Sequence, residues 1–61
     1  SYFLKFDDEN IQTISVKHSL WKGVNIQDTF YIEQSKYFGF VFKFSKDNVN
    51  ILNKLTQNMK P

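Results

Sequence analysis

Hydrophobic and polar positions divide the chain into successive stretches. Residues 1–6, SYFLKF, are apolar and aromatic around one Lys, a short run of the kind that forms a strand. Residues 7–23, DDENIQTISVKHSLWKG, support two periods. Ile14 and Val16 alternate as in a strand, and Thr13 adds a β-branched residue. Ile11, Ile14, His18 and Trp21 also fall at helical spacing. The order of charge favours the helix. Asp7, Asp8 and Glu9 stand where a helix N-terminus attracts negative charge, and Lys17, His18 and Lys22 lie near the end that attracts positive charge. Gly23 supplies a stop. The reading is a helix over about residues 8–21.

Residues 28–34, DTFYIEQ, read as a strand, Ser35-Lys36 as a short connection, and residues 37–44, YFGFVFKF, as a second strand antiparallel to the first. In residues 45–60, SKDNVNILNKLTQNMK, Ser45 is an N-cap candidate with Asp47 in the first turn. Val49, Leu52, Leu55 and Met59 form an apolar stripe widened by Ile51, which predicts an amphipathic helix. Asn48, Asn50, Asn53 and Asn58 are weak helix formers, so packing has to hold it. The expected fold is α+β: a small sheet in β-α-β-β-α order with the C-terminal helix packed on it.

Sixty-one residues allow one domain. A chain of this size buries only about 60% of its unfolded surface, so its core needs help. There is no Cys and one His, which excludes disulfides, thiolate metal sites and a His-rich zinc site. The 18% aromatic content supplies the help through packing. The net charge of +2 is small for binding driven by phosphate neutralisation alone. All eight cations are Lys, so bidentate guanidinium contacts are not available. No apolar run approaches the length of a membrane span. No signal-peptide pattern is present; the absence of Cys fits a reducing or an oxidising compartment, and the expected setting is intracellular, nuclear or cytoplasmic. The start at Ser1 and the end in Met59-Lys60-Pro61 suggest a single small domain or a fragment of a larger one.

The densest aromatic stretch is Lys36 to Phe44, KYFGFVFKF. In a regular strand Phe38, Phe40, Phe42 and Phe44 share one face, opposite Tyr37, Gly39, Val41 and Lys43. Four Phe make a good core face; left exposed, they would make a base-stacking platform. A bulge near Phe42 would flip the faces beyond it, placing Val41 and Phe44 in the core with Phe38 and Phe40 toward solvent.

This stretch resembles the RNP1 motif of RRM domains, Lys/Arg-Gly-Phe/Tyr-Gly/Ala-Phe-Val-x-Phe/Tyr. Lys36, Phe38, Gly39, Phe40 and Val41 match; Tyr37 replaces a Gly, and Lys43 stands where the last aromatic belongs. The resemblance implies bases stacked on Phe3, Phe38 and Phe40. YFLKFDDENIQTISVKHSLW, with FYIEQSKYFGF further on, is similar to YTH domains, readers of N6-methyladenosine in RNA. That likeness covers residues 2–40 with a gap after Trp21. It implies Trp21 as one wall of an aromatic cage and Asn10 as a polar contact to the nucleotide. Trp21 is the sole Trp, so the remaining walls of the cage are missing or lie beyond Pro61. The close of the chain, about residues 28–59, also looks like the end of pleckstrin-like domains, which implies a peptide partner.

Each candidate has a structural alternative. Trp21 can equally be a helix-end core residue. His18 lacks a nucleophile beside it and suits a helix C-terminus. Asp7, Asp8 and Glu9 could hold a cation, but helix capping explains them. Lys36 and Lys43 can be solvated strand ends or phosphate contacts. No nucleophile–base pair, phosphate-cradling Gly loop or paired-carboxylate site is present. The sequence therefore predicts a non-enzymatic module without a cofactor that binds single-stranded RNA through Phe3, Asn10, Trp21, Lys36, Phe38 and Phe40. The alternative is a protein-interaction module.

Overall fold

The computed structural model describes residues 2–36 and 39–56. Strands dominate these residues, in two small antiparallel sheets. The first pairs β1 (Tyr2–Leu4) with β2 (Ile14–Val16), in the register Tyr2 with Val16, Phe3 with Ser15 and Leu4 with Ile14. One helical turn, α1 (His18–Trp21), follows. The second sheet is a meander of β3 (Tyr31–Gln34), β4 (Val41–Lys46) and β5 (Val49–Asn50), ending in a single 3₁₀ turn at Leu52–Lys54.

The expected β-α-β-β-α order is not formed. The helix over 8–21 is replaced by a turn, a strand and one turn of helix. Of its two periods, the alternating one prevails: Ile14 and Val16 both point into the core and are buried against Leu4. The pairing with β1 lies beyond the reach of the local charge cues that favoured a helix. The acidic cluster shapes a turn instead. Asp8 Oδ1 accepts the Asn10 N–H at 2.9 Å, and the Asp8 carbonyl accepts the Ile11 N–H at 3.0 Å.

The expected C-terminal helix over 45–60 is also not formed in its described part. Ser45 and Lys46 close β4, and Asp47 (φ 53°) and Asn48 (φ 64°) make a two-residue hairpin turn. Both central residues are left-handed, as a type I′ turn requires, and Asp and Asn tolerate that region best after Gly. Val49 is consequently exposed. Leu52 and Leu55 still face the core, but from a 3₁₀ turn and an extended segment. The end of the predicted stripe, Met59, lies outside the described residues.

Of the predicted hairpin of residues 28–34 and 37–44, the part at 31–34 and 41–44 forms, within β3 and β4, and residues 37 and 38 lie outside the described residues. Its register carries a bulge: Glu33 pairs with Lys43, but Gln34 pairs with Val41, so Phe42 is the extra residue. Val41 (3% exposed) and Phe44 (1%) are thereby both buried, and Phe42 (43%) turns outward. The four-Phe face of a regular strand does not exist. Phe40 is half-buried, and Phe38 lies outside the described residues.

The sheets meet through Leu55. An antiparallel bridge joins it to Val16, flanked by the Lys17 N–H on the Lys54 carbonyl at 2.8 Å and the Thr56 N–H on the Ser15 carbonyl at 3.0 Å. Leu4, Ile14, Val16, Val41, Phe44 and Leu55 form the core. Phe44 stacks on Phe30 (5.5 Å between centroids, 15°), and Phe30 meets Phe6 edge-on (5.8 Å, 79°). This file of rings leads from the core to the surface.

Candidate nucleic-acid interface

At that surface lies a groove of about 810 Å³. Phe6, Phe30 and Val24, each half-buried, belong to its lining, so its apolar part is continuous with the core. Phe3 comes from the outward face of β1 and Trp21 from the end of α1. They are 56% and 43% exposed. Two of the six site residues predicted from sequence are thus brought together, though by a strand and a single helical turn rather than by a long helix ending at Trp21.

Trp21 is held from one side by Tyr2 and His18. The Tyr2 ring lies 4.7 Å from His18 and 5.1 Å from Trp21 between centroids, and His18 lies 6.1 Å from Trp21 in a stacked arrangement. Such contacts orient the rings at a cost in entropy that is already met before a ligand arrives. The Lys54 ammonium donates to Ser19 Oγ at 3.3 Å, tying α1 to the 3₁₀ turn.

The groove carries both signs of charge. Lys5 and Lys22 line it, exposed, and neither side chain has a hydrogen bond or ion pair among the described residues. Asp7 lines it too and is likewise unpaired. Asp28 is committed to structure: its Oδ2 accepts the Asn25 N–H at 2.8 Å and faces Lys46 Nζ at 3.9 Å. That contact shapes the loop that carries Ile26 to full exposure.

Phe38 lies outside the described residues, and the other three predicted residues lie elsewhere. Asn10 is exposed, and its carbonyl accepts Gln34 Nε2 at 2.6 Å. This fastens the acidic turn to the β3–β4 hairpin. Gln12 Nε2 adds a bond to the Gly39 carbonyl. Phe40 donates its N–H to Ser35 Oγ at 3.0 Å, and Ser35 donates back to the Phe40 carbonyl at 2.7 Å, closing the hairpin loop. Lys36 is exposed at that loop. Asn10, Lys36 and Phe40 therefore share one end of the molecule, and none of them lines the groove.

Sequence reasoning did not place Tyr2, Lys5 or Lys22 in the site, and read Lys22 only as a helix-end cation. The signal for Lys5 was present in YFLKF, where alternation sets Phe3 and Lys5 on the same side. On the second sheet, the Tyr31 hydroxyl donates to Glu33, which holds the phenol above its ordinary pKa. The hydrogen bond to Glu33 is the main cause, followed by slight desolvation and the carboxylate charge. Glu33 also meets Lys43 at 3.6 Å, its register partner across the strands.

Among the described residues no group of three His, Asp or Glu is placed to hold a metal ion, and no helix is long and apolar enough to cross a membrane. No known family, curated protein or solved structure matches this chain.

Proposed function

We propose that the protein is a non-enzymatic, intracellular module that binds single-stranded RNA in the groove between β1 and α1. The observation that carries the reading is the pairing of two exposed aromatic side chains, Phe3 and Trp21, with two unpaired cations, Lys5 and Lys22, along one groove. Aromatic faces stack on bases of any sequence, and Lys side chains meet the phosphates between them. The modest net charge fits a mode in which stacking supplies much of the affinity. Support for RNA comes from this surface; Lys36 and Phe40 of the RNP1-like stretch lie away from it. The long helix that the YTH likeness and the RRM order share is absent. Reading of a methylated adenosine accordingly rests on the YTH likeness alone.

The alternative, a peptide-binding module, drew on a pleckstrin-like closing helix. Residues 45–56 do not form it, and no observation favours that reading.

The test is a titration of a decauridine RNA at low salt, followed by the fluorescence of Trp21, the sole Trp. Binding should quench it. Phe3→Ala should weaken binding by about 1–3 kcal/mol, the usual worth of one base–aromatic stack. Lys22→Ala should lower the slope of log affinity against log salt by about one phosphate's share. A folded protein that binds no single-stranded RNA at low salt would refute the proposal.

A further inference from the structure

Resting on the RNA reading, we infer that the groove selects guanine, with Asp7 accepting the N1–H and N2–H₂ donors of a base stacked at Phe3 and Trp21. A carboxylate in a groove for a polyanion is unfavourable in itself, because it repels phosphates and can only accept hydrogen bonds. Of the two carboxylates that line this groove, Asp28 is already occupied by the Asn25 N–H and by Lys46. Asp7 has no hydrogen-bond or ion-pair partner among the described residues. It is a strong acceptor left open in the groove that Phe3 and Trp21 also line.

The occupant follows from hydrogen-bonding chemistry. Unpaired RNA bases are read on their Watson–Crick edges while they stack on aromatic side chains. Guanine alone presents two adjacent donors on that edge, matching the two oxygens of one carboxylate. Uracil offers one donor between two acceptors. Adenine and cytosine each offer an amino group beside a ring-nitrogen acceptor, which would face the second carboxylate oxygen lone pair to lone pair. Asp7 therefore attracts guanine and penalises the other three. Lys5 and Lys22 line the same groove and offset the cost of carrying a negative charge next to the phosphates.

The experiment is a set of decauridine RNAs that each carry one central substitution: guanosine, inosine, adenosine or N6-methyladenosine. Trp21 fluorescence reports binding. Guanosine should bind at least about fivefold tighter than adenosine, the lower end of the discrimination given by a good bidentate pair. Inosine, which keeps N1–H and lacks the amino group, should fall between them. Asp7→Asn, with its fold checked by circular dichroism, should bring guanosine down to the level of adenosine. Equal binding of guanosine and adenosine, tightest binding of N6-methyladenosine, or a guanosine preference that survives Asp7→Asn would each overturn the inference while leaving the RNA-binding proposal standing. Failure to bind any of the oligomers would remove both.

Discussion

Phe42 and Phe44 are two positions apart in one strand, and a regular strand would give them the same environment. The bulge gives them opposite ones. Phe44 is fully buried among Ile32, Phe30 and the core, whereas Phe42 faces outward. Truncating Phe44 to Ala removes a buried ring and its stack on Phe30, a change that costs about 3–5 kcal/mol. At about 0.05–0.15 kcal/mol per residue, a chain of 61 residues has only about 3–9 kcal/mol of stability in all. Phe44→Ala should therefore leave much of the protein unfolded at room temperature. Phe42→Ala should cost about 0.5 kcal/mol or less, as surface changes do. Urea denaturation followed by Trp21 emission measures both. Phe44→Leu, which retains most of the buried volume, provides a folded comparison if the Ala variant cannot be studied. Equal costs at the two positions, or a larger one at Phe42, would refute the bulge and the burial of Phe44 that follows from it.

Leu55→Ala should cost about 2–5 kcal/mol, because Leu55 is buried at the point where the two sheets meet; thermal unfolding by circular dichroism reads it. Gly39 has φ +64°, and a Cβ there would come within 2.9 Å of Gln12 Oε1. Gly39→Ala should therefore destabilise by about 1–2 kcal/mol from backbone conformation alone, measured in the same way. The Tyr31 phenol should titrate above its ordinary pKa, and Glu33→Gln should bring it down, as followed by the tyrosine ring carbons in NMR. A folded-state pKa raised above the unfolded value contributes stability that is fully present below pH 10 and is lost as pH rises through the raised value. An unchanged Tyr31 titration in Glu33→Gln would show that the carboxylate is not the cause.

The strands at 2–4, 31–34 and 41–44 were legible because alternation and β-branched or aromatic content are local properties. The misreadings arose where local cues competed with distant partners. In residues 8–21 the charge order suited a helix, but Ile14 and Val16 gain a partner strand at Leu4 and Tyr2, which no window around them reveals. In residues 45–60 the three- and four-residue spacing of apolar positions fits a helix. A turn that sets Leu52 and Leu55 against the core meets the same spacing. The Asn residues that weaken a helix carried the contrary signal: Asn48 takes the left-handed turn position, and Asn50 Oδ1 accepts the Leu52 N–H at 2.9 Å. At the site, Phe3 and Trp21 stood out as aromatics. Their partners Lys5, Lys22 and Tyr2 did not, because grouping them requires knowing that β1 lies beside α1.

The bridge between Val16 and Leu55 has a kinetic consequence. The β1–β2 pair and the β3–β5 meander each close over short loops and can form early, but neither contains a core large enough to persist alone. Phe6 on Phe30 and the hydrogen bonds of Gln12 and Gln34 also link them, but the backbone bridge between the sheets forms only when Val16 and Leu55, distant in the chain, find each other. That step carries the largest loop-closure entropy among the described pairings and belongs late on the folding path. During synthesis the two halves must wait for Leu55 to emerge. Until then the core lacks Leu55, and the chain passes through a window in which part of its apolar surface is open to other molecules.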